Sequence, residues 1–142
     1  MASSLDVRAD PAPPPCAVVD LVHAEVMRIE PARLTRLAAE RGTRPAREEL
    51  RRLRTVLVRS RLRIWAALEA GEVRDVARQA VALSDVAADL GLPCLREAAL
   101  NLADCVGGRD PTAIAATSAR LSRLCRAALA GLPPGLGLTG QI

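Results

Sequence analysis

From Pro45 onward the apolar residues recur every three or four positions, and the recurrence breaks at Gly71, at Gly91 to Pro93 and at Gly107 to Pro111. A spacing of that kind puts side chains on one face of a helix, so the breaks fix where helices start and stop. The segment from Pro45 to Ala70 carries Leu50, Leu53, Leu57, Ile64 and Leu68, with Val58, Leu62 and Trp65 widening the stripe. Glu72 to Leu90 places Val73, Val76, Ala80, Leu83, Ala87 and Leu90 together, and Pro93 to about Val106 places Leu95, Ala99, Leu102 and Val106 together. Asp110 followed by Pro111 reads as an N-cap with proline at the first helical position, opening a last helix through Ile114, Leu121, Leu124 and Ala128. Connections this short force neighbouring helices to run antiparallel. The expected fold is therefore all-α, an up-down antiparallel four-helix bundle.

Composition supports this reading. Half of the 142 residues are hydrophobic, but there is no Phe or Tyr and only one Trp, so the core has to be aliphatic. Leu, Ala and Arg favour helices, and the residues that favour strands are sparse. At this length the chain is expected to form one domain. "PARLTRLAAERG" predicts an additional short helix before the bundle, with Pro31 near its first turn and Gly42 after its last. "VVDLVHAEVMRI" runs close to alternation and is ambiguous.

The proline cluster from Pro11 to Pro15 cannot continue a helix, which predicts a disordered arm over residues 1–16, a single helical domain over 17–131 and a flexible tail over 132–142. "GLGLTG" in that tail lacks the strand and helix that would make it a phosphate loop. Cys16, Cys94, Cys105 and Cys125 lie far apart with no histidine beside them, and are expected to be structural thiols rather than metal ligands. No apolar run approaches the length needed to cross a bilayer and the N-terminus has no leader-like apolar region, which predicts a cytoplasmic protein without membrane contact.

One stretch sharpens the picture. "ALEAGEVRDVARQA", followed by Leu83, the pair Leu90 and Gly91, and then Leu95 and Leu102, resembles the histidine phosphotransfer family. That family consists of four-helix bundles whose motif A-H-x-L-K-G is followed at set offsets by a Leu-Gly pair and core leucines. The resemblance spans roughly residues 45–130. Ala80 and Leu83 stand at the motif's apolar positions, but Val81 replaces the phosphorylated histidine, Ser84 the lysine and Asp85 the glycine.

These three departures remove the chemistry while leaving the scaffold. No valine atom can act as the phosphoryl-accepting nucleophile, and Asp85, one turn away, is expected to repel a phosphoryl group and also the acidic pocket of a receiver domain. The sole histidine, His23, precedes the bundle and is not expected to substitute. What the resemblance leaves is the family's docking face, here Arg74, Arg78, Val81, Ser84, Asp85 and Ala88, an apolar centre with a charged rim. The expected function is a bacterial pseudo-phosphotransfer adaptor that binds a receiver domain or a histidine kinase without relaying phosphate and without a cofactor. The alternative is an oligomeric helical protein, such as a homodimer, whose first long helix pairs with its twin and which has no phosphorelay role; Val81 is then a residue packed against a second copy or the N-terminal segment.

All basic side chains are arginines, and eight of them fall between Arg44 and Arg63 against Glu48 and Glu49. Most are expected on the solvated side of the first long helix, where a basic face suits an acidic protein partner. A formal charge of +4, the lack of base-stacking aromatics and the absence of a helix-turn-helix pattern argue against nucleic acid. No paired catalytic carboxylates, Ser/His/Asp set or glycine-rich loop points to an enzyme.

Overall fold

In the computed structural model, which describes residues 25, 27–30 and 32–132, all regular structure is helical. The helices are α1 (Ala32–Arg41), α2 (Thr43–Ala70), α3 (Val73–Leu90), α4 (Pro93–Gly108) and α5 (Pro111–Gly131). α2, α3, α4 and α5 each pack on the next in sequence, α2 and α5 touch lightly, and α1 lies on α2 with an edge against α3. The expected arm and nearly all of the expected tail, together with Cys16 and His23, lie outside the described residues.

Two of the junctions follow from glycine chemistry. Gly71 and Gly91 both adopt φ 70, left-handed geometry that a Cβ disfavours. At the first, the Gly71 N–H reaches Leu68 O at 3.2 Å and the Glu72 N–H reaches Ala67 O at 3.0 Å; at the second, Gly91 reaches Ala88 O at 3.1 Å and Leu92 reaches Ala87 O at 2.8 Å. These reverse bonds satisfy carbonyls that the helix end leaves open and turn the chain within two residues. The third junction departs from the expectation. α4 runs through Gly107 and Gly108, and the left-handed residue is Arg109 at φ 54. Asp110 then caps α5 as its sequence suggests, its Oδ1 accepting from the Thr112 N–H at 2.9 Å and the Ala113 N–H at 3.3 Å.

The core is aliphatic. Leu50, Leu53, Leu57 and Ile64 of α2 meet Val76, Ala80, Leu83, Ala87 and Leu90 of α3, Leu95, Ala98, Ala99, Leu102 and Val106 of α4, and Leu121, Leu124 and Ala128 of α5, all nearly inaccessible. Two residues assigned to the α2 stripe are not in it, since Val58 is 40% and Leu62 61% exposed. At 100° per residue, Leu62 lies some 160° round the helix from Ile64, so it stands opposite the buried arc. Val73, expected on the inner face of α3, is 37% exposed at the first helical position. Leu132, assigned to the tail, closes α5 as a buried residue, its N–H bonded to Ala128 O at 2.8 Å.

α1 is anchored by Leu34, which is buried, and by the Arg33–Asp89 pair at 2.7 Å. The residues ahead of it are tied to two elements: the Glu30 N–H bonds Gly91 O at 2.7 Å, and Glu25 accepts from Arg120 of α5 at 2.6 Å. Between α2 and α5, Arg54 donates to the carbonyls of Leu132 and Leu129, closing the end of α5 with a cation. Cys125 is fully buried, which pushes its thiol up to about 11 against the opposing pull of the Arg61 charge. Cys94 and Cys105 are half-buried free thiols.

Candidate functional site

α3 is amphipathic because Val76, Ala80, Leu83, Ala87 and Leu90 recur at helical spacing on one buried side, while its charged residues fall on the others. Its opposite side carries Arg74, Arg78, Val81, Asp85 and Ala88, all exposed. Successive members are three or four positions apart, so the five form one row along the helix. Val81, 45% exposed, is the central apolar member. Of the six residues that the sequence groups as a docking face, five are thus brought together.

Ser84 is the sixth, and it is not on the surface. It is 3% exposed, and its hydroxyl donates to the Val81 carbonyl oxygen at 2.7 Å. At the lysine position of the resembling motif there is therefore a short buried side chain with its donor already used. Sequence spacing could not separate this case from an edge position, because Ser84 lies between the buried arc and the exposed row.

The charges of the row are unevenly engaged. Arg78 pairs with Asp75 three residues earlier, and both remain accessible to solvent. Among the described residues, Arg74 and Asp85 have no ion-pair partner. Asp89, at the end of the helix, is held by Arg33 of α1, so the row is open at its N-terminal end and bordered by α1 at the other.

At the open end lies a groove of about 960 Å³ between the first turns of α3 and α5. Arg74, Arg78 and Asp75 form one wall, and Arg109, Pro111 and Ile114 the other, with Val73 at the edge. Sequence spacing does not group Val73, Arg109 and Ile114 with the row. They come from three helices or their ends, and the left-handed Arg109 that shapes the rim has no sequence signature.

No imidazole lies among the described residues. Nor, among them, does any set of three His, Cys, Asp or Glu side chains stand close enough to hold a metal ion, and no helix is long and apolar enough to cross a membrane. The buried polar atom without a partner among them, Arg61 Nε, belongs to α2, away from this row. The row and groove together offer an apolar centre, cationic and anionic neighbours, and a concave end. No family model, curated protein or solved structure matches the chain.

Proposed function

We propose that the chain is a non-catalytic signalling protein of histidine phosphotransfer type, which binds a receiver domain or a histidine kinase through the exposed row of α3 and carries no phosphoryl group. On this reading α2 to α5 are the up-down four-helix bundle and α1 is the additional short helix. The two-residue junctions at Gly71 and Gly91 and the sequence of pairings from α2 to α5 support that arrangement.

The observation that carries the proposal is the exposure of Val81, 45% accessible at the place where the resembling motif has its acceptor histidine. A valine left in water at that position contributes nothing to the core, whereas its neighbours Ala80 and Leu83 are wholly buried. Covering it with a partner removes apolar surface from water, and Arg74 can supply orientation at the rim.

The test is affinity capture from the native cell with the intact chain and with Val81→Glu. Receiver or kinase domains retained by the wild type and lost by the variant support the reading. Capture of neither class, or equal capture by both proteins, removes it. Sedimentation supplies the rival outcome: a dimer that Val81→Glu dissociates makes the row a self-association face.

A further inference from the structure

α2 presents a second apolar patch, on a different helix from the α3 row and sharing no residue with it. Leu62 is 61% exposed, the highest value among the large hydrophobic side chains described, and Val58, one turn before it, is 40% exposed. Trp65, the only aromatic residue of the chain, is half-buried one turn after it. Beside Val58 the surface dips into a depression of about 340 Å³, walled by Arg54, Thr55, Arg59 and Leu129 of α5. A valine and a leucine four positions apart form one apolar stripe along α2, beside a depression into which the apolar side chain of a partner can fit.

The charge around this patch selects the occupant. The acidic residues early in α2 are already engaged, Glu48 with Arg44 at 3.2 Å and Glu49 with Arg52 at 2.8 Å. Arg54 is bound to the end of α5. The exposed guanidinium groups of Arg51, Arg59 and Arg63 have no ion-pair partner among the described residues. Arg59 and Arg63 flank Leu62 directly; Glu69 is two turns along the helix, and Arg63 also borders a depression shared with Glu72, Asp75 and Arg78. A rim with that surplus repels a second copy of itself and favours carboxylates.

We infer that the Val58–Leu62 patch of α2 docks an acidic amphipathic helix of another protein, its apolar side chains on Val58, Leu62 and Trp65 and its carboxylates against Arg51, Arg59 and Arg63. The docking uses no residue of the α3 row. It places a carboxylate-bearing surface over the sole tryptophan, which makes Trp65 emission a direct reporter.

The experiment titrates the full chain with a synthetic helical peptide carrying leucines at i, i+4 and i+7 and glutamates on both flanks, and with the same peptide carrying lysines instead. Anisotropy of the labelled peptide and Trp65 emission are read at low ionic strength and at about 0.5 M salt. The glutamate peptide is expected to bind, to shift Trp65 emission and to weaken with salt, while the lysine peptide does not bind. Leu62→Glu and the double variant Arg59→Ala/Arg63→Ala are each expected to weaken binding about tenfold or more, with Val81→Glu unchanged. Leu62 and both arginines are exposed, so the variants are expected to fold, and circular dichroism is the check. Failure of the glutamate peptide to bind, or equal binding by Leu62→Glu, overturns the inference. So does a wild-type dimer that Leu62→Glu dissociates, which would make the occupant a second copy. Binding seen only after removal of residues 133–142 also overturns it, by making the chain's own C-terminal segment the occupant.

Discussion

Ser84 donates its hydroxyl to the carbonyl oxygen of Val81 at 2.7 Å, a bond that lies just beneath the exposed row of α3. The two residues stand where the resembling motif has its lysine and its histidine, and they have opposite environments: Val81 in solvent, Ser84 in the interior. A hydroxyl bonded back to a carbonyl of its own helix adds little to stability, because alanine is the better helix former.

Substitution separates the two positions. Val81→His is expected to alter stability by less than about 0.5 kcal/mol, since it replaces one exposed side chain by another. Ser84→Ala is expected to stay within the same range, whereas Ser84→Lys, which forces a long cationic chain out of a packed site, is expected to cost about 1–3 kcal/mol. Urea denaturation of the three variants checks the order.

The attachment of α1 rests on Leu34 more than on its ion pairs. Arg33 and Asp89 are about half-exposed in their pair, so Asp89→Asn is expected to cost no more than about 1 kcal/mol, less at high salt. Leu34→Ala empties a buried site and is expected to cost about 2–5 kcal/mol. Denaturation midpoints at two salt concentrations distinguish the contributions.

Glu49 gives a pH signature. The hydrogen bond from Arg52 is the main cause that holds its carboxyl below the ordinary value, with the charges of Arg52 and Arg33 adding to it and partial burial opposing. A carboxyl depressed by folding adds stability that is complete above its unfolded pKa and is lost as pH falls through the folded one. The wild type is therefore expected to lose more stability than Glu49→Gln on acidification from neutral pH to below the usual carboxylate range near pH 4. Chemical denaturation of both proteins across that window is the check, and parallel curves would show that the pair is not formed.

Thiol labelling reads the core directly. Cys125 is inaccessible, and burial pushes its thiol up to about 11, so iodoacetamide at pH 8 is expected to reach it only through opening of the helical core. Cys94 and Cys105 are half-buried and are expected to label first. Peptide mass spectrometry over time gives the order, and urea below the transition should accelerate Cys125 alone.

Much of the fold was legible because the turns are set by local chemistry. Gly71, Gly91 and the Asp110–Pro111 pair each impose a geometry that their neighbours cannot, so the helix ends could be placed within a few residues. Gly107 and Gly108 misled for the same reason: a glycine pair reads as a stop, yet packing carries α4 through both to Arg109. Val58 and Leu62 look like core in the sequence because α2 carries apolar residues over more of its circumference than its neighbours cover. Which arc is covered is decided by α3 and α5, not by α2. The α3 row was legible as a periodicity, but the burial of Ser84 and the groove formed with Arg109 and Ile114 depend on elements distant in the chain.

The central claim is that the Val81 row, and not another surface, meets the signalling partner. Its most direct test is the amide spectrum of the isotope-labelled full chain, titrated with a receiver domain that the wild type captures. The account expects shifts concentrated at Arg74, Arg78, Val81, Asp85 and Ala88, and no phosphoryl group on this chain when the receiver is added in its phosphorylated form. Shifts confined to the Val58–Leu62 side of α2, no shifts at all, or phosphate transferred to this chain would contradict it.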